Sequence, residues 1–177
     1  MRKTLTFIWM FVGFGQTIQA QVQQTNVRAA TFLTFSPSRN VHTQATSYFL
    51  HGQLRYYTEQ RLSISSDVFI DLSGNSSLST TQWQEQLLFG ANYHWQKKGN
   101  DFNVGIQPGI NYCKSDNLSN GLTNISPLFS LNVGYRLYIS RHFHFFTEGR
   151  FVSGTAITNS IQQLSSIRIS AGLGFQL

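Results

Sequence analysis

The sequence predicts an all-β protein: an eight-stranded antiparallel up-and-down transmembrane β-barrel. Apolar and polar residues alternate with a period of two in eight segments, which is the pattern of strands with one apolar face. The connections between these segments alternate between long and short. No stretch after residue 20 has the continuous apolar length of a membrane helix, so a membrane-spanning form of this chain must be a closed barrel.

Residues 1–20 are predicted to be a secretory signal peptide. Arg2 and Lys3 precede the apolar run Leu5–Phe14, and Ile18–Ala20 ends in a small residue, as a signal-peptide cleavage site does. The apolar run is shorter than the roughly 20 residues that a transmembrane helix needs, which argues against a membrane anchor. The remaining residues, 21–177, are long enough for one domain.

Composition excludes several classes of protein. Without Arg2 and Lys3, eleven Lys and Arg face seven Asp and Glu, and no basic run indicates a nucleic-acid partner. Cys113 is the single cysteine, so no disulfide can form within the chain. We interpret it as a small core-like residue and not as a nucleophile, because no histidine lies near it in the sequence.

The eight predicted strands are separated by residues that favour turns. They are Asn26–Phe35, Ser47–Tyr57, Arg61–Leu72, Thr81–Gln96, Asp101–Cys113, Ile125–Ile139, His142–Gly154 and Leu164–Leu177. The longer connections are predicted at Ser36–Thr46, Ser73–Ser79, Lys114–Asn124 and Thr155–Gln163. In an up-and-down barrel they all fall at one mouth, and the tight turns fall at the other, as in bacterial outer-membrane barrels.

Turn and breaker residues support these boundaries. Pro37 and Asn40 favour a loop after the first strand. Lys97–Asn100 predicts a hairpin with Gly99 at positive φ. Pro108 interrupts the fifth strand and predicts a bulge, because proline cannot donate to a ladder.

Periodicity alone does not say which face points inward. A soluble lipocalin-like barrel would line its cavity with the apolar face. That face carries Trp83, Tyr93, Trp95 and many other aromatic residues, too much volume for an eight-stranded interior. A soluble surface also needs roughly 25–35% charged residues, whereas this chain has 11%. We therefore assign the polar face to the lumen and the apolar face to lipid.

The last residues, Ser170–Leu177, are similar to the C-terminal assembly signal of outer-membrane barrels. The signal is carried by Gly172, Phe175 and Leu177, although the terminal residue is usually aromatic. Along residues 21–177 the chain resembles the outer-membrane β-barrel domain family, of the OmpA transmembrane, OmpX and OmpW type. The resemblance implies a monomeric, porin-like cell-envelope protein of a Gram-negative outer membrane. Its partners would be membrane lipids, the barrel assembly machinery and an unidentified extracellular ligand.

The predicted lumen holds a charge network. Its members are Arg28, Arg55, Arg61, Asp67, Asp71, Arg136, Glu148, Arg150 and Arg168. Buried charges are tolerated when they are paired, which favours a solvated plug with Glu148 between Arg136, Arg150 and Arg168. A positive surplus leaves a second interpretation open, a narrow pore for small anions.

No catalytic, cofactor-binding or metal site is predicted. Lipid A deacylases place a serine two residues from a histidine, but His142 and His144 are followed by phenylalanines. A polar, arginine-filled lumen would not suit a palmitoyltransferase. The histidines also lack metal-ligand spacing.

Overall fold

The computed structural model describes residues 29–73, 81–115, 123–157 and 161–177. The predicted signal peptide and Arg28 lie outside these ranges. The strands are β1 (Ala29–Asn40), β2 (Thr46–Glu59), β3 (Leu62–Asp71), β4 (Thr81–Lys97), β5 (Asn100–Ser115), β6 (Thr123–Tyr138), β7 (Phe143–Ile157), β8 (Ile161–Gln163) and β9 (Ser166–Gln176). No helix long and apolar enough to cross a membrane occurs in the described part of the chain.

Eight of these strands close into an antiparallel barrel. Each of β1 to β7 pairs with the next strand in the chain, and β9 pairs with both β7 and β1. Strand β8 is a three-residue extension that pairs only with the end of β7. The predicted up-and-down topology is therefore confirmed.

Alternation along each strand decides what faces the lumen. The buried residues are mostly polar or charged, and the exposed ones include leucines, isoleucines, valines and aromatic residues. The exposed aromatic residues form two levels. Near the turns are Tyr56, Trp95, Phe102, Phe143 and Phe175, and near the loops are Phe35, Tyr48, Tyr112 and Phe129. Two such levels of exposed aromatic residues are what is expected of rings that lie at two membrane interfaces.

The first predicted loop is wrong in its first half. Strand β1 continues to Asn40, and Pro37 lies inside it, opposite Tyr48 of β2. Only residues 41–45 connect β1 to β2. The side chain of Ser36 donates a hydrogen bond to the carbonyl of Ile169 on β9 (3.2 Å), which compensates for the N–H that Pro37 lacks. The strand therefore tolerates a residue that usually ends one.

The predicted bulge at Pro108 is also wrong. Pro108 lies opposite Phe129 in a continuous β5–β6 register. On the β4 side, pairing stops at Leu88↔Gly109 and resumes at Ala91↔Ile106, with no residue inserted. The missing proline N–H thus removes ladder bonds without shifting the strand.

The β4–β5 hairpin has the predicted geometry. Lys97 pairs with Asn100, and the two residues between them have positive φ, 47° at Lys98 and 82° at Gly99. Two consecutive positive φ values are typical of a type I′ turn, whose twist matches that of the flanking strands.

Candidate functional site

The lumen is the candidate site, because the buried charged side chains of the described residues gather there. Six of the nine predicted members of the charge network are buried there: Arg55, Asp67, Arg136, Glu148, Arg150 and Arg168. Asp101 joins them, although the sequence interpretation did not include it. The sequence could have indicated this, because Asp101 occupies an inward-facing position of β5.

Arg150 is the centre of an ion-pair cluster at mid-height. Its Nη2 lies 2.9 Å from Asp67 Oδ1 and 2.6 Å from Glu148 Oε1. Gln107 also accepts from Arg150 and donates to Asp67 Oδ2 (2.6 Å). Gln53 Nε2 donates to Asp67 Oδ1 (2.8 Å) and lies 3.3 Å from Glu148 Oε2. Arg150 thus bridges the two buried carboxylates, and two glutamine amides add hydrogen bonds to them.

The neighbours expected for Glu148 differ in part from those observed. Arg55 Nη2 lies 3.6 Å from Glu148 Oε2, a longer contact than the one from Arg150. Arg168 forms no ion pair within the described residues and donates to Ser166 instead. Arg136 donates to the hydroxyl of Tyr57 (2.9 Å) and to Gln53 Oε1 (2.6 Å) instead. Glu148 therefore pairs with Arg150 on its own strand and with Arg55 on β2, and not with the arginines of β6 and β9.

The turn end of the lumen holds a second polar cluster around Asp101. His94 Nδ1 lies 2.9 Å from Asp101, and the hydroxyls of Tyr57 and Tyr138 each donate to Asp101 Oδ2 (3.3 Å). Arg136 Nη1 donates to the hydroxyl of Tyr57 (2.9 Å). The tyrosine thus relays the interaction between the guanidinium and the carboxylate.

Two Ser–His–Asp arrays occur in these clusters. Ser63 Oγ lies 2.7 Å from His94 Nε2, whose Nδ1 faces Asp101, the order found in serine hydrolases. The second array is Ser170, His51 and Asp67, with contacts of 2.9 Å and 2.8 Å. Ser63 is 1% exposed and His94 is fully buried, so a substrate carbonyl has no path to the hydroxyl. The arrays complete a hydrogen-bond network, and sequence spacing could not reveal them because each spans three strands.

One group of buried residues has metal-ligand chemistry. Ligand atoms of His51, Asp67 and Glu148 lie within 4.8 Å of one another. Arg150 contacts both carboxylates at hydrogen-bond distance. A guanidinium thus occupies the position where a metal ion would balance the two charges, so this donor set does not fit a resident metal.

An apolar layer lies in the lumen between the ion-pair cluster and the loops. It consists of Phe49, Phe69, Leu88, Leu128 and Val152, with Leu164 packed against it. The guanidinium of Arg168 stacks at 4.2 Å from the ring centroid of Phe49 and 4.7 Å from that of Phe69. Such cation–π contacts stabilise a desolvated cation. The sequence interpretation missed this layer, because its members are apolar residues on the polar row.

Two predicted network members lie outside the lumen cluster. Arg61 is exposed in the two-residue β2–β3 turn, where chain reversal removes it from strand alternation, and its Nη1 approaches the Tyr93 hydroxyl (3.5 Å). Asp71 ends β3 and accepts a hydrogen bond from the backbone N–H of Ser73 (2.8 Å).

The predicted assembly signal lies on β9. Phe175 is directed outward and is 38% exposed, whereas Gln176 is fully buried. Gly172 lies on the inward row, where an added Cβ would be 3.3 Å from Phe146 and Thr34. Leu177 is exposed beyond the end of the strand. Cys113 is a free, buried cysteine on the inward row of β5.

The fold defines a class, the small closed barrels of eight antiparallel strands. No protein-family model and no curated protein sequence matches this chain. Solved structures do match. Neisserial surface protein A superposes with a TM-score of 0.63 at 13% identity, covering 85% of this chain and 96% of that one.

Two further structures have the same architecture. The N-terminal β-barrel domain of Pseudomonas aeruginosa OprF gives a TM-score of 0.58 at 10% identity, over 85% of this chain and 98% of that domain. Ail, the attachment invasion locus protein of Yersinia pestis, gives 0.60 at 8% identity, over 86% and 100%. This chain therefore has the fold of the small eight-stranded outer-membrane barrels of the OmpA and Ail type.

Proposed function

We propose that this chain is an integral outer-membrane barrel with a structural or cell-surface interaction role, and that its lumen is a permanent plug. Residues 1–20 would be removed during export, and residues 21–177 would insert as a monomer. Its partners would be outer-membrane lipids, the assembly machinery during insertion, and an extracellular ligand of the loops. Neither nucleic acid nor a cofactor has a place in this proposal.

The packing of the lumen is the observation that carries the proposal. The apolar layer lies above the Arg150 cluster, and Arg168 stacks beside Phe49 and Phe69. A hydrated passage would need polar walls along its whole length, so apolar side chains at this level support a plug. The burial of the Ser–His–Asp arrays supports a non-enzymatic role in the same way.

A narrow anion pore is the second candidate. Four arginines and three carboxylates are buried in the described part of the lumen, so a small positive surplus favours anions if the layer opens. This interpretation and the plug differ in whether ions cross the barrel at rest.

Conductance in a planar bilayer tests the two. We expect purified, refolded protein to give no steady current, and we expect the double variant Phe69→Ala, Leu88→Ala to conduct, since it removes two members of the apolar layer. Anion-selective current through the unsubstituted protein would contradict the plug and favour the pore.

A further inference from the structure

The two strands that close the barrel are paired only at their ends. Strands β1 and β9 pair from Ala30↔Gln176 to Phe32↔Gly174 near the turns, and from Ser38↔Arg168 to Asn40↔Ser166 near the loops. The register is the same on both sides, so no residue is inserted. Residues 33–37 and 169–173 therefore face each other without a continuous ladder. These two facing ranges form the seam of the barrel.

Side-chain hydroxyls replace backbone donors along the seam. In the shared register Pro37 faces Ile169, and proline has no N–H to donate. The carbonyl of Ile169 accepts from Ser36 Oγ (3.2 Å), and the carbonyl of Ala171 accepts from Thr34 Oγ1 (2.7 Å). Unsatisfied carbonyls are costly in hydrocarbon. The hydroxyls thus allow the two strands to remain separated within a membrane.

A groove lies at each end of the seam. The one nearer the turns is about 600 Å³ and is lined by outward-facing Leu33, Leu173 and Phe175. The one nearer the loops is about 530 Å³, and its walls include Pro37, Ile167 and Ile169. Ile167 and Ile169 are each more than half exposed. Apolar walls that open toward the hydrocarbon suit an acyl chain.

Arg39 places a positive charge at the loop end of this path. It lies on the outward row of β1, directly opposite Ile167, and is exposed. Among the described residues, it is the one basic residue that lines either groove. No ion pair to Arg39 occurs within the described ranges of the chain. Guanidinium groups bind phosphate oxygens in a bidentate manner, so Arg39 supplies a phosphate-binding side chain at the loop end of the groove.

We infer that the loop end of the β1–β9 seam, together with the groove beside it, binds an anionic, phosphate-bearing membrane lipid. The phosphate contacts Arg39, and one acyl chain lies along Ile167, Ile169 and Pro37. A free phosphate or a soluble phosphorylated ligand would use Arg39 but would leave the apolar walls unoccupied. A lipid matches both parts of the groove, and the inference does not depend on whether the lumen conducts.

Photo-crosslinking of the reconstituted protein tests this inference. The photoreactive residue p-benzoylphenylalanine replaces Phe35 beside the seam or, as a control, Phe129 on the outer face of β6; both are exposed aromatic residues near the loop end. The vesicles are phosphatidylcholine with a minor fraction of phosphatidic acid. We expect phosphatidic acid to be several-fold enriched over its bulk fraction in adducts at position 35 and not at position 129.

Two substitutions and one control variant separate the contribution of the headgroup site from that of the groove. Arg39→Gln should reduce the enrichment at position 35 to the level at position 129, whereas Arg61→Gln, at an exposed arginine in a turn, should leave it unchanged. Pro37→Thr restores a backbone donor opposite Ile169 and should reduce the total lipid adduct at position 35 by closing the seam.

Native mass spectrometry of the unsubstituted protein gives a second measurement that needs no crosslinker. We expect phosphatidic acid to remain bound after detergent removal, and phosphatidylcholine to be lost. Equal adduct fractions at positions 35 and 129, or enrichment that survives Arg39→Gln, would show only general annular lipid and would overturn the inference.

Discussion

Arg150 Nη2 lies 2.9 Å from Asp67 Oδ1, and this ion pair joins opposite walls of the barrel. Strand β7 carries the arginine and β3 the aspartate, and four strand-to-strand steps separate them in either direction around the closed sheet. Cross-lumen contacts of this kind tie distant parts of the wall together, whereas ladder bonds join only neighbours.

Removal of the Glu148 charge should destabilise the barrel. Glu148→Gln keeps the shape of the side chain but leaves Arg150 with one carboxylate and Arg55 with none within 4.0 Å among the described residues. Breaking a buried pair costs on the order of 3 kcal/mol. Urea unfolding of the refolded barrel in lipid measures this loss.

Asp71→Asn is the matched control for that change, because Asp71 lies at the strand end and its retained oxygen can still accept from Ser73. Its cost should be under about 1 kcal/mol, as for solvent-screened charges. Equal costs for the two variants would contradict a desolvated charge cluster.

The apolar layer should contribute to stability as well as closure. Phe69 is fully buried among Phe49, Arg168 and His51, so Phe69→Ala should cost about 3–5 kcal/mol, as for other buried phenylalanines. Phe89→Ala, at a residue that is 58% exposed on the lipid-facing side, should cost clearly less in detergent. Urea midpoints of the two variants decide whether the layer is packed.

Assembly should depend on the outward face of β9. Phe175→Asp places a charge among lipid-facing residues and should lower insertion into the outer membrane far more than Gln176→Glu, whose side chain remains in the polar lumen. Leu177→Phe should be neutral or helpful, because it matches the terminal signal of the resembled family more closely. The folded fraction, read as heat-modifiable mobility on gels, measures each effect. Comparable losses for Phe175→Asp and Gln176→Glu would contradict a role for the outward face of β9 in assembly.

Orientation can be tested by surface labelling. The strand ends that flank the longer connections lie at one mouth of the barrel, so a tag near Asn75 or at Asn117–Asn120, positions outside the described residues, should be reachable on intact cells. A tag at Gly99, in the β4–β5 hairpin, should be reachable only after the outer membrane is permeabilised. Labelling at Gly99 alone would reverse the proposed orientation.

Sequence reasoning was most successful where the relevant pattern was local. Strand alternation follows directly from residue order, so the eight strands, their inward faces and the hairpin at Lys98–Gly99 were predictable. The strand boundaries were less predictable. Pro37 and Pro108 both suggested interruptions, but each strand keeps its register. At Pro37 the hydroxyl of Ser36 donates to the facing carbonyl, and at Pro108 the β5–β6 ladder is continuous.

The sequence by itself determined the topology and the separation of a lipid-facing from a lumen-facing surface, since a period of two records both. Only the tertiary structure decided which lumen residues meet. Closure of the barrel and the stagger between strands set the height of each side chain, and thereby bring Arg150 to Asp67 and leave Arg168 on Phe49. Those heights depend on pairings between strands far apart in the chain, which no local pattern encodes.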